Sequence, residues 1–385
     1  MMMDYESRIN KTREIMERDG IDGVFLCHSG DAEYLSGVRR QRPAANHSHL
    51  PGDWLYGLFL GRKHAVYATP TMPLDFVEAQ TEGKKFISEI MVMNDGEDSE
   101  SFAVKIIRKL GLEKGVLAVP KTCYSKTLIN LKKLFPEMSF TSTEDFTLDM
   151  RMVKEPEELD LMRKAARMTD DVFEAVIAKI KVGMTEIDVA GEIDYQIRLK
   201  GGEGTSFETG VMVTGAGMDK TIETLVSTTS AILEPGTTLS FDFGMVYEGY
   251  NSDFGRTLYI GEPTQKMRAV HRLVMDSQKA AMAAMIPGKM TAQGLNKVAR
   301  DVIETAGLGK EFVHRLGHGI GIDLHEYPYL DVGYKQLLRE NMTFTVEPSI
   351  IIPNEFWVRV EDVVLVTPDG GESFNQMTRD IVVID

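Results

Sequence analysis

The C-terminal part of the chain repeats itself, and that repeat limits the fold more than any other feature. Val182-Gly-Met-Thr185 opens a helical pattern through Ile187, Val189, Ile193 and Ile197, and Gly288-Lys-Met-Thr291 opens another through Leu295, Val298 and Val302. Each Thr is a residue type that caps a helix start. Thr185 precedes Asp242 by 57 residues and Thr291 precedes Glu347 by 56. The strand patterns match as well, Pro235-Gly-Thr-Thr-Leu-Ser-Phe-Asp242 against Glu340-Asn-Met-Thr-Phe-Thr-Val-Glu347, and a second acid follows each first one: Asp253 after Asp242, Glu361 after Glu347. Two halves of helices followed by strands would set four carboxylates around one pseudo-twofold axis.

The first acid pair sits in Leu239-Ser-Phe-Asp-Phe-Gly-Met-Val-Tyr-Glu-Gly-Tyr-Asn-Ser-Asp-Phe-Gly-Arg-Thr257, which reads as a strand, a turn at Glu248–Ser252 and a second strand to Ile260. A carboxylate between Phe241 and Phe243 has to be paired or bound to a metal. Four clustered carboxylates repel one another unless cations lie between them. Phe312-Val-His-Arg-Leu-Gly-His-Gly-Ile-Gly-Ile-Asp-Leu-His-Glu326 adds His314, His318 and His325, three of only eight histidines. Carboxylates with one imidazole suit manganese, iron, cobalt or zinc. Four acids exceed the three or so protein ligands of one catalytic zinc. Two ions about 3.5–4 Å apart use them all and suit metal-assisted amide hydrolysis. Arg359 is two residues from Glu361 and so on the same face of a strand, placed to orient the carboxylates or to meet substrate.

The remaining sequence fits a two-domain protein. At 385 residues there is enough chain for more than one core, and a net charge of -15 argues against nucleic acid or an anionic membrane as partner. Two cysteines make no disulfide framework, so a reducing cytoplasm is expected, and neither a signal peptide nor a membrane span is read. Over residues 1–153 a helix-prone segment at 4–19 leads into an alternating series. Strand patterns at 23–27, 54–60, 65–68, 89–93 and 116–119 alternate with helical patterns at 31–36, 72–80, 99–110 and 125–134, an α/β domain. Lys154-Glu-Pro-Glu-Glu158 starts a long helix to about Ile180 and opens the second domain, 154–385. The loop Arg39–Trp54, with three arginines, His47 and His49, reads either as a solvated surface loop or as a ligand-contacting one.

The motifs resemble the pita-bread metallopeptidase family of prolidase, aminopeptidase P, methionine aminopeptidase and creatinase. Asp-x-Gly…Gly-Tyr-x-Ser-Asp-x-x-Arg-Thr spans Asp242–Thr257, His-x-x-x-His-Gly-x-Gly…His-Glu spans His314–Glu326, and Thr345-Val-Glu-Pro348 and Val358-Arg-Val-Glu-Asp362 complete the set. The junction Met152–Glu158 resembles the two-domain prolidase and aminopeptidase P branch. The resemblance implies a creatinase-like α/β N-terminal domain followed by a pita-bread catalytic domain. It implies two divalent ions held by Asp242, Asp253, His318, Glu347 and Glu361, with Asp253 and Glu361 bridging. Glu347 would carry the proton, His325 would stabilise the tetrahedral intermediate or hold the substrate carbonyl, and His314 and Arg359 would line the substrate pocket. The implied activity is that of an Xaa-Pro dipeptidase or aminopeptidase acting as a homodimer, with the Arg39–Trp54 loop as a candidate cap on the other subunit's site. Proline-specific members carry a Pro-His in the loop before the first ligand strand, whereas Val213–Leu225 here has no histidine. A non-peptide C–N substrate, as in creatinase or ectoine hydrolase, therefore stands beside the prolyl reading. A non-catalytic scaffold is the third alternative, and the intact ligand set counts against it.

Overall fold

The computed structural model describes residues 3–40, 52–216 and 228–385, with the side chains of 144–146 left aside. The chain divides into two compact units, Met1–Arg151 and Met152–Asp385.

The first unit runs α1 (Tyr5–Arg18), β1 (Gly23–Cys27), α2 (Gly30–Ser36), β2 (Gly57–Gly61), β3 (Ala65–Pro70), α3 (Leu74–Thr81), β4 (Glu89–Met93), α4 (Ser99–Leu110), β5 (Val116–Val119), α5 (Ser125–Leu134), β6 (Ser139–Ser142) and α6 (Glu144–Met152). Its sheet has the order β4-β3-β2-β1-β5-β6. Strands β1 and β2 are buried along their whole length, which is why each reads as an unbroken apolar run rather than an alternating one. Helix α4 has the punctuation its sequence announces: Asp98 accepts from Ser101 N at one end, and Gly111 adopts φ 68° at the other. Trp54, at the end of the arginine- and histidine-rich loop, belongs to this core: it is 1% exposed and its indole donates to Ser99 Oγ at 3.2 Å. Arg40 pairs with Glu33 at 2.8 Å. His47 and His49 lie outside the described residues, as does the rest of 41–51.

The second unit opens with α7 (Pro156–Ile177), started by Pro156 and a Glu155/Glu158 capping box, and α8 (Glu186–Leu199), capped by Thr185. Strands β7 (Gly204–Thr205), β8 (Gly210–Thr214), β9 (Thr238–Phe243), β10 (Met245–Tyr247), β11 (Tyr250–Asn251) and β12 (Phe254–Ile260) follow, and then α9 (Gln265–Ala284) and α10 (Ala292–Thr305), capped by Thr291. The chain ends with β13 (Gly317–Gly319), β14 (Glu326–Leu330), β15 (Thr343–Val346), β16 (Ser349–Ile352), β17 (Phe356–Arg359), β18 (Asp362–Thr367), β19 (Gly370–Ser373) and β20 (Val382–Ile384). The larger sheets have the orders β20-β12-β9-β8 and β14-β13-β15-β18-β19.

Each half of this unit has its own core. In the first, Val189, Ile193 and Ile197 of α8 pack with Phe173, Phe241, Phe243 and Phe254; in the second, Leu295, Ala299 and Ile303 of α10 pack with Phe344, Val346 and Val364. Both helices bury a stripe of period four. Ile187 falls off that stripe and is 56% exposed, a correction to the sequence pattern. On α10 the inward positions are Leu295, Ala299 and Ile303, with Val298 and Val302 at the flanks. The hairpin expected at 239–260 forms through β9 and β12 in antiparallel register, with Asp242 opposite Gly255. Its connection is longer than a plain turn. Strands β10 and β11 form a second small hairpin, turned at Glu248 (φ 48°) and Gly249 (φ 83°), and β10 pairs with β7 instead.

Candidate metal centre

The site is built where the two larger sheets of the second unit meet. Strand β9 presents Asp242, and β12 begins just after Asp253. Glu361, between β17 and β18, forms an antiparallel bridge with Gly255. Gly255 is thus paired with Asp242 on one side and Glu361 on the other, and cross-strand neighbours point to the same face. A Cβ on Gly255 would come within 2.8 Å of Glu361 Oε2 and 2.8 Å of Arg359 Cδ. Glycine leaves that space open, so the two carboxylates reach across it toward each other. One oxygen from each of Asp242, Asp253 and Glu361 lies within 4.8 Å of the other two.

The second half supplies the imidazole and the fourth acid. His318 Nε2 lies 3.5 Å from Asp253 Oδ2 and 3.7 Å from Glu347 Oε1. Its Nδ1–H donates to the carbonyl of Gly319 at 2.9 Å, which turns Nε2 toward the acids, the orientation a histidine ligand uses. Thr345 ties the two together. Its hydroxyl accepts from His318 N at 3.0 Å and donates to Glu347 Oε1 at 3.1 Å. Arg256 fixes the other acid's backbone, donating to the carbonyl of Glu361 at 2.7 Å and to Asp362 Oδ1 at 2.7 Å. The structure therefore brings together all five residues expected as ligands. Thr345 opens the matched stretch Thr345-Val-Glu-Pro348, but the motif does not say what its hydroxyl touches. Arg256 stood inside a matched motif, which was the available hint.

The electrostatics are those of a site short of positive charge. Burial is the largest influence on Asp253, pushing its carboxyl up to about 6, and burial also drives Glu361 well above the usual carboxylate range. Asp242 moves up from burial as well, against the pull of Arg359. Glu347 is the exception: the charges of Arg359 and His318 outweigh its burial and hold it below its ordinary value. Arg359 donates to Asp242 and lies 3.5 Å from Glu361 Oε2 and 3.7 Å from Glu347 Oε2. One guanidinium is shared among three acids. Asp253 Oδ1 is buried with no hydrogen-bond partner among the described residues. A buried anionic oxygen left unmatched, in a cluster of oxygen donors joined by one imidazole nitrogen, fits hard or borderline divalent cations.

The other predicted residues surround this centre. The His325 ring packs edge-on to His318, with centroids 4.1 Å apart. Its outer side is open, but crowding of its inner side, helped by the charges of His318 and Arg315, brings it down to about 4. His314 is also neutral, held at about 4 by burial and by Arg359. Its Nδ1–H donates to Arg315 O and its Nε2 accepts from Ser349 Oγ, so both nitrogens are engaged within the chain. The loop 217–227, where a substrate histidine was expected and is missing from the sequence, lies outside the described residues.

Residues 160–368 match the metallopeptidase family M24, and residues 8–153 match the creatinase/prolidase N-terminal domain. An Xaa-Pro dipeptidase of Lactobacillus delbrueckii subsp. lactis is 36% identical over 98% of this chain and 98% of its own length. One from Pyrococcus furiosus is 30% identical over 98% of this chain and 100% of its own. Among solved structures, a prolidase from Thermococcus sibiricus superposes with a TM-score of 0.86 at 27% identity, over the full length of both chains.

Proposed function

The chain belongs to metallopeptidase family M24, and on that premise we propose that it is a prolidase-type enzyme, cleaving the bond before proline in short Xaa-Pro peptides. It is a metal-dependent peptidase that uses divalent cations. The observation that carries the proposal is the convergence of Asp242, Asp253 and Glu361 with His318 and Glu347 at one buried point. Residues 1–153 are assigned as the creatinase/prolidase-like N-terminal domain and 154–385 as the catalytic domain.

In this reading the five residues would hold two divalent ions, of manganese, cobalt, iron or zinc. When bound, the ions supply Lewis acidity that makes water a nucleophile at neutral pH and polarises the scissile carbonyl. The chain's own groups do the rest. Glu347 is the acid held ionised by Arg359 and His318, so it is the one ready to take a proton from the attacking water. It returns that proton to the leaving nitrogen as the C–N bond breaks. Neutral His325, at the open edge, offers a ring N–H to the oxygen that gains charge at the carbonyl carbon. Arg359 keeps the carboxylates oriented, and His314, fixed by Ser349, lines the substrate side. The chain is further assigned as a homodimer acting in the cytoplasm. No helix of the described residues is long and apolar enough to cross a membrane.

The deciding experiment is a panel of Xaa-Pro dipeptides, longer Xaa-Pro peptides, creatine and ectoine, assayed with manganese, cobalt and zinc in turn. Turnover of Xaa-Pro dipeptides, abolished by chelation and restored by one of these metals, is the expected result. Cleavage of creatine or ectoine alone would move the assignment to the non-peptide reading. A sizing experiment giving only monomer would remove the dimer.

A further inference from the structure

The repeat in the catalytic unit supplies an internal control on its outer surface. Thr185 caps α8 and Thr291 caps α10, so the two helices align residue for residue from their caps. Every fourth residue from the second helical position falls on one outward row, because residues four apart on a helix are neighbours. On α10 that row is Gln293, Lys297, Asp301 and Thr305, all polar, and Lys297 pairs with Asp301 at 2.6 Å. On α8 it is Ile187, Gly191, Tyr195 and Leu199. Ile187 and Tyr195 are each 56% exposed, and Leu199 is 64% exposed. Val182 and Ile232 are exposed as well and flank the start of α8, where Ile232 bridges Thr185.

A row that faces water takes polar residues, as α10 shows, so the apolar row in the same place on α8 marks a contact. Gly191 points the same way. Glycine weakens the interior of an exposed helix relative to any ordinary residue except proline. No atom of the described residues lies within 4 Å of where its Cβ would stand, so none of them requires the missing side chain. A glycine in the middle of an apolar row lets another helix approach closely and leaves a hollow for one of its large side chains.

The row is complementary to itself. Turned about a two-fold axis near position 193, α8 of one copy runs antiparallel to α8 of another. Gly191 then lies opposite Tyr195, and Ile187 opposite Leu199. Asp188 and Arg198, both exposed beside the row, lie opposite each other as well. The hollow meets the large ring, the acid meets the base, and each contact is made twice, as the self-complementary patch of a two-fold dimer requires. We infer that this chain pairs with a second copy of itself through the outer face of α8. The inference rests on the homodimer assignment above, to which it gives a surface, and not on the identity of the substrate.

Sedimentation velocity of the full-length protein over a range of concentrations tests it. Wild type sediments as a dimer. Gly191→Arg, which fills the hollow, weakens dimerisation about 30-fold or more, the loss typical of a residue at the centre of an interface, with circular dichroism unchanged. Asp188→Arg and Arg198→Asp each weaken the dimer alone, because like charges then face each other twice. An equimolar mixture of those two variants recovers a dimer, since each pairing across the two-fold again joins opposite charges; damage to the fold would not be rescued by mixing. If Gly191→Arg and Arg198→Asp both keep wild-type affinity, this surface is overturned while the homodimer assignment stands. A wild type that is monomeric at every concentration overturns both and leaves the peptidase reading untouched. Should Gly191→Arg not fold, the mixing experiment decides alone: recovery supports the α8 face, and its absence overturns it.

Discussion

The two halves of the catalytic unit have the same build and different chemistry. Each has a Thr-capped helix, a buried period-four stripe and a strand pair leading to acids, but their acids are treated differently. In the first half, Asp242 and Asp253 are both pushed upward by burial. In the second, Glu347 is held down by Arg359 and His318, while Glu361 is driven well up. The repeat therefore ends with one acid held toward its ionised form and three pushed toward the protonated one. The asymmetry comes from the second half alone, which contributes both His318 and Arg359.

The largest effect expected from that difference is on turnover. Glu347→Gln should lower kcat by about 10²–10⁴-fold, the usual worth of a positioned acid–base group, with the fold intact. Its counterpart Asp242→Asn should act mainly through the metal, so that excess manganese recovers part of the lost activity. Steady-state kinetics across a metal titration separates the two. Equal recovery in both variants would mean that the halves are functionally equivalent and that the proton role of Glu347 is wrong.

The cores should respond alike where the sites do not. Ile197 of α8 and Ile303 of α10 occupy matching places on their helices, and both are fully buried. Ile197→Ala and Ile303→Ala are each expected to cost about 2–5 kcal/mol by chemical denaturation. A loss confined to one of them would show that only one half carries the stability of the unit.

Removing the metals should expose the carboxylates' cost. An unfolded aspartate titrates near ~3.9, whereas Asp253 in the fold titrates at about 6. Between those values the folded protein keeps a proton that the unfolded chain has released. Stability of the chelated enzyme therefore falls as pH rises through this window, and Glu361, driven higher still, extends the fall upward. Its Tm should be lower at pH 7 than at pH 5, and added manganese should raise Tm more at pH 7. A chelated enzyme equally stable at both values would contradict this account of the cluster.

How much of this was readable beforehand depends on whether one residue type or a distant pairing was decisive. Strand Gly23–Cys27 and helix Ser99–Leu110 have the bounds their patterns announced, because an apolar run and an Asp/Gly pair of caps are local signals. Strand Ser139–Ser142 gives no such signal because it is polar and largely exposed at the sheet edge. Ile187 is apolar yet lies off the buried stripe, because the phase of the helix and not residue type decides burial. The five expected ligands meet because their spacing is written in a repeat. The role of Thr345, which links His318 to Glu347, is hidden for the opposite reason: it depends on a contact that sequence order does not reveal.

The smallest expected difference between the halves lies at the first turn of their helices. Thr185 Oγ1 accepts from Asp188 N at 3.1 Å, and Asp188 Oδ2 accepts in return from Thr185 N and Thr185 Oγ1, each at 2.8 Å. Thr291 Oγ1 accepts from Gly294 N at 3.0 Å, and a glycine has nothing to return. An N-cap Thr→Ala change costs about 0.5–2 kcal/mol. Thr291→Ala breaks one contact, whereas Thr185→Ala breaks two, one of them to a charged group, so Thr185→Ala should fall higher in that range. Asp188 is held below its ordinary value by the Thr185 backbone bond, so this advantage is present above the unfolded carboxylate range and is lost as pH falls through the lower folded value. Denaturant titrations of both variants near neutral pH and again below about pH 3 measure it. If the two caps cost the same near neutral pH, the reciprocal contact adds nothing, and the first half gains no stability from Asp188 over the glycine that stands in its place in the second.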